Sequence, residues 1–188
     1  MIEMIDELLT DAREHMDKSV DATRGKFSSV RTGRASPALL DRILVDYYGA
    51  QTPIRQLATV NASEARLLTI QPYDKSSIKA IERAILESDL GLTPSNDGKI
   101  VRLPIPQLTE ERRKELVKVV KHLAEEGRVA VRNVRRDVMH DLKELVKNGD
   151  VGDDEERRAE DRVQKLTDEH VAKIEDLLKR KEAEIMEV

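Results

Sequence analysis

The chain of 188 residues is predicted to be an α+β protein of two domains, a long three-helix bundle with a small α/β domain inserted into it. Three observations predict this. Apolar residues recur at helical spacing near the start of the chain and again through its second half. Between Asp41 and Pro106 that period is lost, and short β-branched runs punctuated by Gly and Pro replace it. The two later helical stretches are about 39 and 35 residues long, more than about 50 Å each at a rise of about 1.5 Å per residue. Helices of that length cannot fold back within a compact globule of this size, so they must bury their apolar stripes against each other and the first helix. The expected division is 1–30 with 107–188 for the bundle and 31–106 for the insertion.

From Ile2 to about Val30, Ile5, Leu8, Leu9, Ala12, Met16, Val20, Thr23, Phe27 and Val30 are spaced by threes and fours. The segment Arg31-Thr32-Gly33-Arg34-Ala35-Ser36-Pro37 then breaks the period, with Ser36 as N-cap and Pro37 opening a short helical turn. Arg42 to Tyr48, Gln56 to Val60, Arg66 to Gln71 and Lys99 to Leu103 read as strands. Asp74 caps a helix from Lys75 to Leu90, and Gly91 stops it. Leu103-Pro104-Ile105-Pro106 cannot continue a helix or a central strand, because each proline lacks an amide donor and restricts its predecessor. Gly and Pro at both crossings suggest hinge linkers near 31–35 and 103–107, with Arg31, Thr32, Gly33, Arg34, Pro104 and Pro106 as hinge candidates.

Thr109 caps the second long helix, which runs to Lys147 and stops at Asn148-Gly149. Asp153 with Glu156 forms a capping box for the third, where Ala159, Val163, Leu166, His170, Ile174, Leu177 and Ile185 are in register. Gly127 sits at the centre of the second helix's apolar face. A glycine there costs about 1 kcal/mol relative to alanine, so it implies close approach by a neighbouring helix.

The second long helix carries the candidate functional residues. At about 100° per residue, Arg128, Arg132, Arg135 and Arg136 share about a third of the circumference, opposite Leu116, Val120, Val131, Val138 and Leu142. Lys114, Lys118, Lys121 and Lys143 extend the sector. A charge run is by default the solvated face of an amphipathic helix. Two features weigh against that here: the helix's acids, apart from Glu125, project beside the stripe, and its centre is built of arginines, whose planar forks fit phosphate oxygens. Arg128, Arg132, Arg135, Arg136, Lys121 and Lys118 are therefore candidate RNA contacts.

Composition narrows the classes further. With 33 basic and 37 acidic residues the net charge is −4, so contact with a polyanion must be local rather than a general coating. Phe27, Tyr47, Tyr48 and Tyr73 are the only aromatics, which disfavours base-stacking platforms but not phosphate contacts to structured RNA. Without cysteine there is no disulfide, thiolate metal site or Cys nucleophile. The four histidines are scattered along helices and read as surface or boundary residues; no metal-ligand spacing, phosphate loop or nucleophile elbow occurs, so neither an enzyme nor a cofactor is expected. No apolar run could span a bilayer and the acidic start is unlike a signal peptide, so a cytoplasmic protein is expected.

Four long motifs carry a resemblance: residues 31–37 (Arg-Thr-Gly-Arg-Ala-Ser-Pro), 88–92 (Ser-Asp-Leu-Gly-Leu), 108–114 (Leu-Thr-Glu-Glu-Arg-Arg-Lys) and 128–137 (Arg-Val-Ala-Val-Arg-Asn-Val-Arg-Arg-Asp). With residues 163–168 (Val-Gln-Lys-Leu-Thr-Asp) they resemble, in order and over nearly the whole chain, the signatures of the bacterial ribosome-recycling factor family. The resemblance implies an L-shaped molecule, a three-helix bundle with an inserted β/α/β domain. It also implies a monomeric translation factor that binds the post-termination ribosome along large-subunit ribosomal RNA and, with elongation factor G and GTP, splits it into subunits. The arginines matching Arg132 and Arg135 are those the family is held to need most. The competing class is a coiled-coil scaffold or chaperone whose charged stripe binds an acidic protein.

Overall fold

A computed structural model describes residues 2–187. The chain divides into two compact units, one ending at Val30 and resuming at Lys114, the other spanning Arg31–Arg113.

The first unit is built from α1 (Ile2–Ser28), most of α4 (Glu110–Lys147) and α5 (Asp153–Met186). Their burial follows an eleven-residue repeat. Ile5, Met16 and Phe27 on α1, Leu116, Gly127 and Val138 on α4, and Val163, Ile174 and Ile185 on α5 are all buried, each eleven residues from the next. Eleven residues over three turns is about 3.67 per turn, close to the helix's own period, so each stripe faces its neighbours with little supercoiling. Small residues occupy the centre of α4: Ala124 and Gly127 are buried, while Leu123, Val134 and Leu145 are half-buried at the margins. A Cβ on Gly127 would lie 2.3 Å from Thr23 Oγ1 of α1 and 3.2 Å from Ile174 Cδ1 of α5, so the three helices meet at this glycine at a distance no side chain allows.

Three expectations for the bundle need correction. His170 is neither a surface nor a boundary residue. It is 1% exposed, with Nδ1 2.6 Å from Leu166 O and Nε2 2.6 Å from Asp17 Oδ1 of α1. Both partners only accept, so the pair is complete when both ring nitrogens carry hydrogens. A helical wheel of α5 cannot reveal this, because the carboxylate comes from another helix. The capping box is also absent: Gly152 is the N-cap of α5 and Asp153 is already helical. Asp153, Asp154, Glu155 and Glu156 instead fill the first turn, where the helix dipole favours acids. Towards the other end of α5, Leu178 and not Leu177 is the buried leucine.

The second unit holds an antiparallel sheet in the order β3-β4-β6-β5 (Ala58–Glu64, Leu67–Pro72, Val101–Pro104, Ser95–Asn96) and a separate hairpin, β1 (Leu44–Tyr47) with β2 (Ala50–Pro53). Alternation puts Leu68, Ile70, Val101 and Leu103 on one sheet face, in a core shared with Ile78, Ile81 and Ile85 of α3 (Ile78–Glu87). Ser36 and Asp74 cap as expected, accepting from the amides of Ala38 and Ser76. The element after Asp74 opens as a 3-10 turn, Lys75–Ser77, before α3 begins. Gln56 and Leu57, read as strand, belong to a single helical turn, α2 (Ile54–Leu57), whose two buried ends are three residues apart. The β1–β2 hairpin turns through Tyr48 and Gly49, both with positive φ (51° and 82°), as a primed turn requires.

Candidate nucleic-acid interface

Helix α4 is 38 residues long, about 57 Å, and contains no proline. Thr109 opens it by accepting the Arg112 amide at 3.1 Å. Its buried stripe fixes its rotation in the bundle and so decides which side chains reach water. Lys118, Lys121, Arg132 and Arg136 are exposed, whereas Arg128 and Arg135 lie half-buried on the flank nearest α5.

The four arginines have different partners. Arg128 has 17% of its side chain exposed and is clamped between Glu125, one turn earlier, and Glu175 of α5. Burial opposes its charge, but the hydrogen bond it donates to Glu125 and the charge of Glu175 outweigh that, raising the guanidinium above its ordinary pKa. The same contact, chiefly the hydrogen bond from Arg128, lowers the carboxyl pKa of Glu125. Arg132, half of whose side chain is exposed, has Glu125 at 3.5 Å as its one ion-pair partner among the described residues. Arg136 donates to Asn133 Oδ1 at 3.0 Å. Arg135 Nη1 donates to Gln164 Oε1 of α5 at 3.0 Å. The stripe therefore contains three arginines held lightly or by neutral groups, and one, Arg128, whose charge is already answered by two acids. Glu175 was invisible from the sequence of α4, since its contact with Arg128 spans 47 positions.

The hinge candidates are more firmly held than Gly and Pro signals suggest. The Arg31 guanidinium donates to Leu90 O, and the Ala35 amide donates to Ala65 O at 2.8 Å. Gly33 has φ +77°, and a Cβ there would sit 3.1 Å from Leu108 Cγ. Pro104 is the last residue of β6, opposite Leu67, where short β5 no longer covers the other side and no amide is needed. The next amide, of Ile105, donates to Arg66 O at 2.8 Å, and Pro106 is exposed. All six candidates belong to the second unit, which extends to Arg113. Among the described residues no group of three His, Asp or Glu side chains could hold a metal, and no helix is long and apolar enough to cross a membrane.

Comparison with known proteins places the chain among translation factors, which are not themselves enzymes. Residues 23–186 match the family described as Ribosome recycling factor. The chain is 57% identical over its full length, and the relative's, to the ribosome-recycling factor of Rubrobacter xylanophilus, and 59% identical over 98% of its length to all of that of Bacillus subtilis. A solution structure of a ribosome recycling factor matches all of both chains with a TM-score of 0.80 at 41% identity. A second structure has a TM-score of 0.68 at 49% identity, over 97% of this chain and 99% of the other. It is the T. thermophilus ribosome recycling factor with E. coli elongation factor G bound to the E. coli post-termination complex. The chain belongs to the ribosome recycling factor family.

Proposed function

We propose that the bundle docks on large-subunit ribosomal RNA through the outward face of α4, and that elongation factor G, using GTP, then drives the inserted unit so that the post-termination ribosome splits. The carrying observation is the set of cations this face presents: Lys118, Lys121, Arg132 and Arg136 exposed, with Arg135 beside them. Arg128, its fork occupied by Glu125 and Glu175, acts in the same site as a brace between α4 and α5. Elongation factor G enters from the T. thermophilus relative, which is bound with it to a post-termination complex. The chain supplies no nucleotide chemistry in this scheme. It works as a monomer, in the cytoplasm where ribosomes are. The inserted unit moves as a body on the two connections, with Arg31, Thr32, Gly33, Arg34, Pro104 and Pro106 fixing its side of the joint.

Co-sedimentation with ribosomes tests the docking face. Arg135→Ala and Arg132→Ala should each bind more weakly without loss of helicity, since a hydrogen bond to a charged group contributes roughly 1.5–3 kcal/mol. Affinity should also fall steeply with salt as counterions are released. Both variants binding like the parent, with affinity flat in salt, would favour a scaffold that recognises an acidic protein.

A further inference from the structure

We infer that Gln164 is a positioning residue for Arg135, and that the Val163–Asp168 motif aims this guanidinium at an RNA phosphate while leaving its charge intact. The inference rests on the docking face proposed above. Gln164 Oε1 accepts from Arg135 Nη1 at 3.0 Å, and Gln164 Nε2 donates to Asp168 Oδ1 at 2.9 Å. Chemistry fixes the direction of the amide. A guanidinium only donates and an ionised carboxylate only accepts, so the amide serves both only with its oxygen toward Arg135 and its nitrogen toward Asp168. Flipped, it would present like to like at each end. Val163, Leu166 and Thr167 of the same motif are buried and seat α5 in the bundle, which leaves Gln164, Lys165 and Asp168 outside the core, with Gln164 and Asp168 one turn apart.

The contrast with Arg128 shows what a neutral anchor achieves. Arg128 is held by two carboxylates, so a phosphate arriving there must compete with charges already in place. Arg135 is fixed by an amide that carries no charge, with the Asp168 carboxylate behind the amide, one helical turn on. Among the described residues one of its five donors is used, which leaves the others for a phosphate. A long side chain held in one orientation before binding loses less rotamer freedom when it binds. The motif thus turns a flexible cation into an oriented one without neutralising it.

The test uses the full chain and intact 70S ribosomes, with affinity measured over a range of salt for Gln164→Leu, Gln164→Glu, Arg135→Ala and the Gln164→Leu/Arg135→Ala double variant. Gln164→Leu should bind about fivefold to tenfold more weakly, with an unchanged urea midpoint. It should have no further effect once Arg135 is alanine. Gln164→Glu places a carboxylate directly on Arg135, so the salt dependence should shrink by about one released counterion. The inference is overturned if Gln164→Leu binds like the parent, if its loss is the same with and without Arg135, or if Gln164→Glu keeps the full salt slope. If Gln164→Leu lowers the urea midpoint, the isosteric Gln164→Glu decides alone. Arg135→Ala binding like the parent would take Arg135 out of the contact and the positioning role with it, the same result for Arg132→Ala with affinity flat in salt would sink the docking face itself, and a weak Arg135→Ala beside a neutral Gln164→Leu would sink only the positioning role.

Discussion

Gly127→Ala should destabilise the bundle although alanine is the better helix former, and the sign should reverse when Thr23 is also changed. In an open helix the exchange would gain about 1 kcal/mol. Here the new methyl would lie 2.3 Å from Thr23 Oγ1, well inside contact distance. The hydroxyl can retreat only by rotating away from Ser19 O, which it now donates to at 2.9 Å, at a cost of about 1 kcal/mol. Otherwise α1 and α4 must part, and overpacking of this kind costs typically about 1–3 kcal/mol. The net expectation is a loss of about 1 kcal/mol. In a Thr23→Ala background the oxygen is gone; of the two close neighbours that stay, Ile174 Cδ1 at 3.2 Å is the end of a flexible side chain, and the Cβ of residue 23 at 3.3 Å need give only a few tenths of an ångström. There Gly127→Ala should stabilise by up to about 1 kcal/mol, so the two sites should couple by about 2 kcal/mol. Urea unfolding of the four proteins, followed by far-ultraviolet circular dichroism, measures each term. Equal stabilisation by Gly127→Ala in both backgrounds would show that the helices do not meet at this glycine.

Arg128→Ala should lower stability by about 1 kcal/mol, through lost stem packing and the loss of the ion pairs to Glu175 and Glu125, the latter keeping Arg132, while weakening ribosome binding less than Arg135→Ala does; urea unfolding and co-sedimentation together check the ranking. The Asp17 carboxyl pKa is lowered mainly by the hydrogen bond from His170, against partial desolvation, with further help from the charges of His170, Lys173 and Arg13. A depressed carboxyl adds stability that is present above its unfolded value, near about pH 4, and is lost as pH falls through the folded one. Asp17→Asn should therefore lose less stability than the parent between about pH 5 and pH 2.5, and equal losses in acid titrations would remove Asp17 from the account. Replacing residues 32–105 with a short flexible loop spares the core of the three long helices and the cations of α4. The bundle should keep much of its ribosome affinity but fail to split ribosomes with elongation factor G and GTP; splitting at the parental rate would rule out the inserted unit as the moving part.

What the sequence made legible was whatever a single helix or strand shows on its own. The three long helices, the burial of Gly127 and the caps at Ser36, Asp74 and Thr109 follow from spacing and local chemistry, and the structure has each of them. Contacts between helices were not legible. His170 looked like a boundary residue because Asp17, 153 positions away, supplies its second acceptor, and Arg128 looked free because Glu175 lies on α5. Gln164 sat in a recognised motif but had no evident task until its amide was found between Arg135 and Asp168. The shortest elements were also missed. β2 (Ala50–Pro53) and β5 (Ser95–Asn96) are too short or too polar to show alternation, and α2 is one turn in which helix and strand patterns coincide.

The placement of the aromatics gives the molecule an internal optical label. The chain has no tryptophan, and Tyr47, Tyr48 and Tyr73 all belong to the unit Arg31–Arg113, while the only other aromatic, Phe27, is buried in the bundle. Tyrosine emission and the tyrosine bands of the near-ultraviolet dichroism therefore report on the inserted unit alone, whereas peptide dichroism is dominated by α1, α4 and α5. A denaturation in which the two signals move apart separates the units without added dye or mutation, and one in which they coincide means that both melt as a single cooperative body. Tyr48 is 84% and Tyr73 72% exposed. A partner that covers either ring would therefore change the emission of a protein whose tyrosine signal comes from three rings and is not masked by tryptophan.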